Sequence, residues 1–385
     1  MQPKLIDISN VDMPKDLLKI PFYYEPTYFE MAYSLFEACN LHCPFCFEGH
    51  RNNKVDINKI KEVPQNIYNF LKGDFNKYPQ IRRLDLRLWG GELFFDALPN
   101  KVFDAYKEMV LNIDSLFHKS YPNLYINYSW LSNGVWTKWD RVKEILDLSK
   151  GKLGFSYDPS NRFPSLKAKQ IMLDNVQRTH DEGYLTGLSI TLTKQTVRQY
   201  ITGQSDLLNF PKDITYDVNF YTANPGWKDF LLSDNDIYDF FLWALDNRLF
   251  NINVIRNLFG AALNDSSLFL GHYCECKTSK QYSNGICTVD CAKRASTLPH
   301  EMFYGKYSNI ITEENVSDIK LSLGMEKRGC LYCPHYNLCQ KPCWISVIFQ
   351  GYTPDKTCPY ARIYSYICKN KKLIEDFLEW RKINA

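Results

Sequence analysis

The chain has 385 residues, of which 45% are hydrophobic and 23% charged, proportions of an ordinary folded protein that exclude disordered and fibrous classes. Its formal net charge is +3, from 46 Lys and Arg against 43 Asp and Glu, too small an excess to call for a nucleic-acid partner. No stretch reaches the roughly 18 apolar residues of a membrane span, and the opening MQPKLIDISNVDMPKDLLKI lacks the features of a signal peptide, so no membrane partner and a cytoplasmic location are expected.

Residues 1–28 read as an N-terminal extension. Beyond it, apolar, β-branched or aromatic runs alternate with longer segments of helical period, the signature of βα units and a parallel sheet. The expected strands are Tyr28–Leu35, Leu84–Trp89, Leu124–Leu131, Leu153–Tyr157, Leu185–Leu192 and Thr215–Tyr221. The expected helices are Ile57–Leu71, with a kink or later start at Pro64, Asn100–Leu116, Trp139–Leu148, Leu166–His180, Thr196–Leu208 and Asn235–Leu249. Six strands predict an α/β fold of the partial (β/α)6, TIM-type barrel kind. Tyr360–Ile383 reads as one amphipathic closing helix.

The 13 cysteines divide the chain more sharply than its hydrophobicity does. Three lie between Cys39 and Cys46, and ten between Cys274 and Cys368, which predicts a barrel over 29–255 and a cysteine-rich domain over 256–385. A reducing compartment disfavours disulfides, and an odd count leaves one thiol over, so metal ligation is the better account.

Cys39, Cys43 and Cys46 form C-x3-C-x2-C directly after the first strand. Three thiolates on one short loop hold three irons of a [4Fe-4S] cluster and leave the fourth without a protein ligand, open to chemistry. In parallel barrels the reacting groups sit at the carboxyl ends of the strands, where this loop lies. A structural zinc site is the competing reading, but it needs a fourth ligand, such as His42 or a distant Cys.

With Phe45 as the aromatic before the third cysteine, this motif resembles that of the radical S-adenosylmethionine (SAM) superfamily. The resemblance implies that SAM chelates the open iron and is cleaved by one electron to a 5′-deoxyadenosyl radical, which abstracts hydrogen from a substrate. Gly90, Gly91 and Glu92 resemble the family's GGE motif, whose backbone receives the SAM amino group. Ser132, Asn133 and Gly134 resemble its T/S-N-G element, and Ser156 with Asp158 its S-x-D element, both implied to contact the SAM ribose and carboxylate.

Cys330, Cys333, Cys339 and Cys343 form C-x2-C-x5-C-x3-C, with Cys358 beyond. Thiols so spaced also suit a zinc knuckle, but here they resemble the SPASM extension of radical SAM enzymes, which carries two auxiliary [4Fe-4S] clusters. The resemblance implies Cys274, Cys276, Cys291 and Cys343 as ligands of one, and Cys330, Cys333, Cys339 and Cys358 of the other. Three [4Fe-4S] clusters and SAM are thus the expected cofactors. Cys287 and Cys368 are left over; Cys287 competes with Cys291 because Gly285 lies six positions before Cys291, not the family's five. For Cys368 a small buried hydrophobe is expected. Asp290 is a candidate general base, although an acidic residue beside a metal loop is more often a solvated group. Ala292 stands where sulfatase-maturating members place an Asp, so formylglycine formation is not expected.

The implied activity is modification or crosslinking of a ribosomally made peptide, through a thioether, carbon–carbon or related bond. Expected partners are the peptide, a separate leader-binding protein and a flavodoxin- or ferredoxin-type electron donor. Radical oxidation or rearrangement of a small molecule, such as a sugar or aminocyclitol, is the alternative. An electron carrier or zinc-stapled binding protein is the non-enzymatic one.

Overall fold

Each apolar run becomes a strand, and each helical pattern packs back over the sheet. In the computed structural model of the protein, the described residues are 29–44, 46, 54–159, 161–204, 207, 210–211, 214–220, 230, 232–263 and 358–384. The strands are β1 (Phe29–Ser34), β2 (Arg83–Trp89), β3 (Tyr125–Ser132), β4 (Lys152–Tyr157), β5 (Thr186–Leu192) and β6 (Thr215–Phe220). All neighbours pair in parallel, and the spatial order is the chain order, β1 to β6. Between them lie α1 (Ile57–Lys77), α2 (Asn100–Ser120), α3 (Trp139–Ser149), α4 (Leu166–Asp181) and α5 (Lys194–Ile201). After β6 come α6 (Asp234–Asp246), α7 (Asn253–Leu263), α8 (Pro359–Lys369) and α9 (Lys371–Asn384).

Right-handed crossovers in a sequential strand order put every connecting helix on the same face of the sheet. The strands are built for that asymmetry. Leu84, Leu86 and Leu88 of β2 and Leu153, Phe155 and Tyr157 of β4 are all 0% exposed, on the helix-covered face. The alternating positions carry Asp85, Arg87, Ser156, Ser189 and Asp217, all half-buried. A parallel sheet covered by helices on both faces would be apolar on both; among the described residues this one carries polar, half-buried side chains on its second face.

Three elements differ from the sequence reading. The later start at Pro64 is not found, for α1 runs from Ile57 through Pro64 to Lys77. Its face of Ile60, Val63, Ile67, Phe70, Leu71 and Phe75 is buried to 6% exposure or less, and at about 1.5–3 kcal/mol per large side chain this burial outweighs the roughly 3 kcal/mol cost of an interior proline. Helix α5 ends at Ile201, not Leu208, because Thr202 and a left-handed Gly203 (φ +83°) terminate it. The closing helix is two helices, since Asn370 leaves helical geometry and its side chain accepts from Leu373 N at 3.1 Å to start α9.

The C-terminal helices dock against α6, α7 and the turn between them through identifiable contacts. The Arg362 guanidinium lies 3.5 Å from the Tyr238 ring centroid and donates to Asn235 Oδ1 at 3.0 Å. Arg248 pairs with Asp376 at 2.8 Å, and Phe259 stacks on Phe377 at 3.9 Å. No described helix is long and apolar enough to cross a membrane.

Candidate active site

The loops that follow β1, β2 and β3 interlock at the carboxyl ends of the strands. The pairing of β1 with β2 continues past the sheet as Leu35 N donates to Trp89 O at 2.9 Å, Gly91 N to Phe36 O at 2.7 Å and Glu92 N to Ala38 O at 2.8 Å. The cysteine loop is thereby laid directly on the Gly-Gly turn, with Cys43 buried and Cys39 and Cys46 half-buried. A Cβ on Gly91 would collide with the carbonyl oxygens of Glu37 and Ala38, and one on Gly90 with that of Phe36. Both glycines are therefore fixed by close backbone approach. Gly91→Ala must push the cysteine loop away at a cost of about 1–3 kcal/mol. A lowered unfolding midpoint together with reduced iron uptake on reconstitution is the expected result.

Glu92 turns inward and joins the second loop to the third. It is 0% exposed and accepts three hydrogen bonds: from Ser132 Oγ (2.7 Å) and Phe94 N (3.0 Å) on Oε1, and from Asn133 N on Oε2. Ser132 Oγ accepts in turn from Gly134 N and Trp136 Nε1, each at 2.9 Å, so its single proton is committed to Glu92. Burial pushes the Glu92 carboxyl up to about 7, against the opposing pull of these donors and of Arg162. The carboxylate suits such a site because it only accepts.

Asn133 carries the connection back to the cysteines. Its Nδ2 donates to Asn40 Oδ1 at 2.8 Å and reaches Cys39 Sγ at 3.6 Å, while its Oδ1 accepts from Val135 N at 2.8 Å. Leu41 N also donates to Cys39 Sγ, at 3.4 Å. Burial raises the Cys39 thiol to about 12, with Leu41 N opposing and Glu92, Cys43 and Cys46 adding to the rise. Cys43 is raised for the same first reason, with Arg162 opposing and Asp158 adding. Such thiols keep their protons until a metal cation displaces them, which is the coupling expected of ligands grouped in a dry site.

Among the described residues, no three His, Cys, Asp or Glu side chains are gathered for a single metal ion. Cys39, Cys43 and Cys46 put three soft donors on one loop, a ligand type that takes zinc and the irons of an iron–sulfur cluster alike.

Beyond β4, Asp158 is 0% exposed and accepts from Asn161 N at 2.9 Å and Thr196 Oγ1 at 3.2 Å, tying the strand end to the first turn of α5. Ser156 lies on the open face, in register with Ser189 and then Asp217. Further down that face Arg83 clasps Asp85 through two bonds of 2.7 and 2.8 Å, and Asn127 donates to Asp85 at 2.9 Å. Apart from Ser156, sequence reading passed over this polar row, although polar residues alternating with leucines in RLDLRLW signalled it. It also passed over Arg162, whose carbonyl lies 3.8 Å from Cys43 Sγ and which belongs to no motif.

Phe45, Cys274, Cys276, Cys287, Asp290, Cys291, Cys330, Cys333, Cys339 and Cys343 lie outside the described residues. Cys358 is half-buried immediately before α8. Cys368 is exposed and contacts Ala262 O at 3.3 Å, which corrects the expectation of a buried side chain; the buried stripe of α8 is Tyr360, Ile363, Tyr364 and Ile367, and position 368 falls beside it.

Compared with solved structures, the chain is similar to hexahistidine-tagged anSMEcpe with bound AdoMet, at TM-score 0.57 and 15% identity over 92% of this chain and 96% of that one. It is also similar to native anSMEcpe with bound AdoMet and the Kp18Cys peptide, at TM-score 0.55 and 14% identity over 91% and 99%. The fold is that of anSMEcpe. No family model and no curated protein matches the sequence. At such low identity the likeness to anSMEcpe speaks for the architecture, and the chemistry rests on this chain's own residues.

Proposed function

We propose that the chain is a radical SAM enzyme with a SPASM-type C-terminal domain, and that its substrate is a peptide. The observation that carries this is the interlock of the Cys39–Cys43–Cys46 loop with the Gly90–Glu92 and Ser132–Gly134 turns at one end of a six-stranded parallel sheet. When bound, a [4Fe-4S] cluster with one open iron supplies the electron that splits SAM into methionine and a 5′-deoxyadenosyl radical, which takes a hydrogen atom from the substrate. The three cysteines hold that cluster. Glu92 and Asn133 fix the loop that bears them, and the Gly-Gly turn brings backbone within reach of SAM.

The open face then receives the substrate. The side chains of half-buried Asp217 and Ser156, both on strands of this face, make no hydrogen bond among the described residues, and so offer polar contacts to a ligand. The peptide is favoured over a small molecule by the fold shared with anSMEcpe, one structure of which holds the Kp18Cys peptide. Two auxiliary clusters, on Cys274, Cys276, Cys291 and Cys343 and on Cys330, Cys333, Cys339 and Cys358, complete the proposal, with the barrel over 29–255 and the cluster domain over 256–385. A cytoplasmic setting with a flavodoxin- or ferredoxin-type donor and a separate leader-binding protein belongs to the same reading.

The test is anaerobic reconstitution with iron and sulfide, followed by dithionite and SAM. About twelve irons per chain, as three four-iron clusters require, and formation of 5′-deoxyadenosine are expected. Candidate precursor peptides are then screened for a mass change of one or more hydrogens. Zinc in place of iron, with SAM left intact, would overturn the proposal.

A further inference from the structure

Two donors converge on Cys39, and one of them is a side chain that the sequence assigned elsewhere. Leu41 N lies 3.4 Å and Asn133 Nδ2 3.6 Å from Cys39 Sγ. The orientation of the Asn133 amide is fixed by its partners: Val135 N is a donor and must meet the oxygen, at 2.8 Å, so the nitrogen faces Asn40 and Cys39. Both amide hydrogens are then spent, one on Asn40 Oδ1 and one on the sulfur. Asn40 closes the ring by donating to Val135 O at 2.7 Å, and Glu92 holds the Asn133 backbone from behind. At 4% exposure the Asn133 side chain is dry as well as fixed.

We infer that Asn133 is a positioning residue that holds Cys39 and sets the reduction potential of the cluster site through an N–H···S hydrogen bond. The inference rests on the radical SAM reading. Its physical basis is that one-electron reduction adds negative charge to a cluster and its ligand sulfurs. A donor aimed at a ligand sulfur stabilises the reduced form more than the oxidised one and raises the potential. The effect is larger in a site with little water to screen it. Cys39 is the ligand on which these donors are concentrated; Cys43 is placed with its thiol toward a carbonyl, Arg162 O, at 3.8 Å.

Two variants separate tuning from mere support. Asn133→Ala removes the donor and also the acceptor for Val135 N. Asn133→Asp keeps an oxygen for Val135 N but sets a carboxylate beside the sulfur. The reconstituted full-length protein is titrated anaerobically with reductant while electron paramagnetic resonance follows the signal that SAM perturbs, and iron is counted in parallel. Expected is the wild-type iron content in both variants with the midpoint shifted negative. The shift for Asn133→Ala is about tenfold in the reduction equilibrium, or 59 mV for one electron, and it is larger for Asn133→Asp. An unshifted midpoint in both overturns the inference, as does loss of the cluster from both, which would make Asn133 a support of the loop alone. A wild-type chain that takes up no SAM-responsive cluster overturns the underlying reading instead.

Discussion

Replacement of Cys39, Cys43 and Cys46 together by Ala is expected to abolish SAM cleavage while leaving about eight of about twelve irons in place, the content of two four-iron clusters. Their loop lies on the Gly-Gly turn through backbone hydrogen bonds from Gly91 and Glu92, and those bonds do not involve the thiols. The variant should therefore fold, and its defect should be chemical. The measurement is 5′-deoxyadenosine by mass spectrometry under dithionite, normalised to protein and compared with an assay lacking enzyme. Product at the wild-type level would remove these cysteines from the active site. Loss of all iron would show that the two halves of the chain do not assemble their clusters independently.

The second large effect is expected at Glu92. Glu92→Ala strands three buried donors, Ser132 Oγ, Phe94 N and Asn133 N. At about 1–3 kcal/mol for each unsatisfied group the loss is of the order of 3 kcal/mol or more, a large share of the roughly 5–15 kcal/mol that holds a domain folded. Above about pH 7, where Glu92 is ionised, Glu92→Gln is not neutral either, because its amide replaces one acceptor oxygen with a donor that faces other donors. Chemical unfolding should show both variants destabilised, Ala more than Gln, with cluster uptake falling in the same order.

The pH dependence at this position has a definite sign. Burial lifts Glu92 from its ordinary 4.5 to about 7 in the folded protein. A folded value above the unfolded one favours folding most fully below about pH 4.5, and that contribution is lost as pH rises through about 7. The span corresponds to a contribution on the order of 3 kcal/mol. Unfolding free energy should thus decline across this window in the wild type and decline less in Glu92→Gln. The same slope in both proteins would mean that Glu92 does not titrate there.

The amino-acid sequence alone determined the strands, the βα order and the cysteine loop. These are local patterns: β-branched and apolar runs write the strands, and C-x3-C-x2-C places three soft ligands within eight residues whatever surrounds them. It determined less at helix ends, where Pro64 was carried inside α1 by the burial of an entire apolar face, and where Gly203 and Asn370 stopped helices that hydrophobic period would have continued. Only the tertiary structure decided what the motif residues do for one another. Glu92 lies about forty positions before Ser132 and Asn133 in the chain, yet the three form one buried hydrogen-bond network ending on Cys39. The polar row on the open face was likewise written in the alternation of β2, but which face the helices leave uncovered depends on strand order and crossover hand. A motif states which groups are present. Which of them face a ligand and which brace the loop is settled by long-range packing, because burial and the pairing of donors with acceptors exist only once distant segments meet.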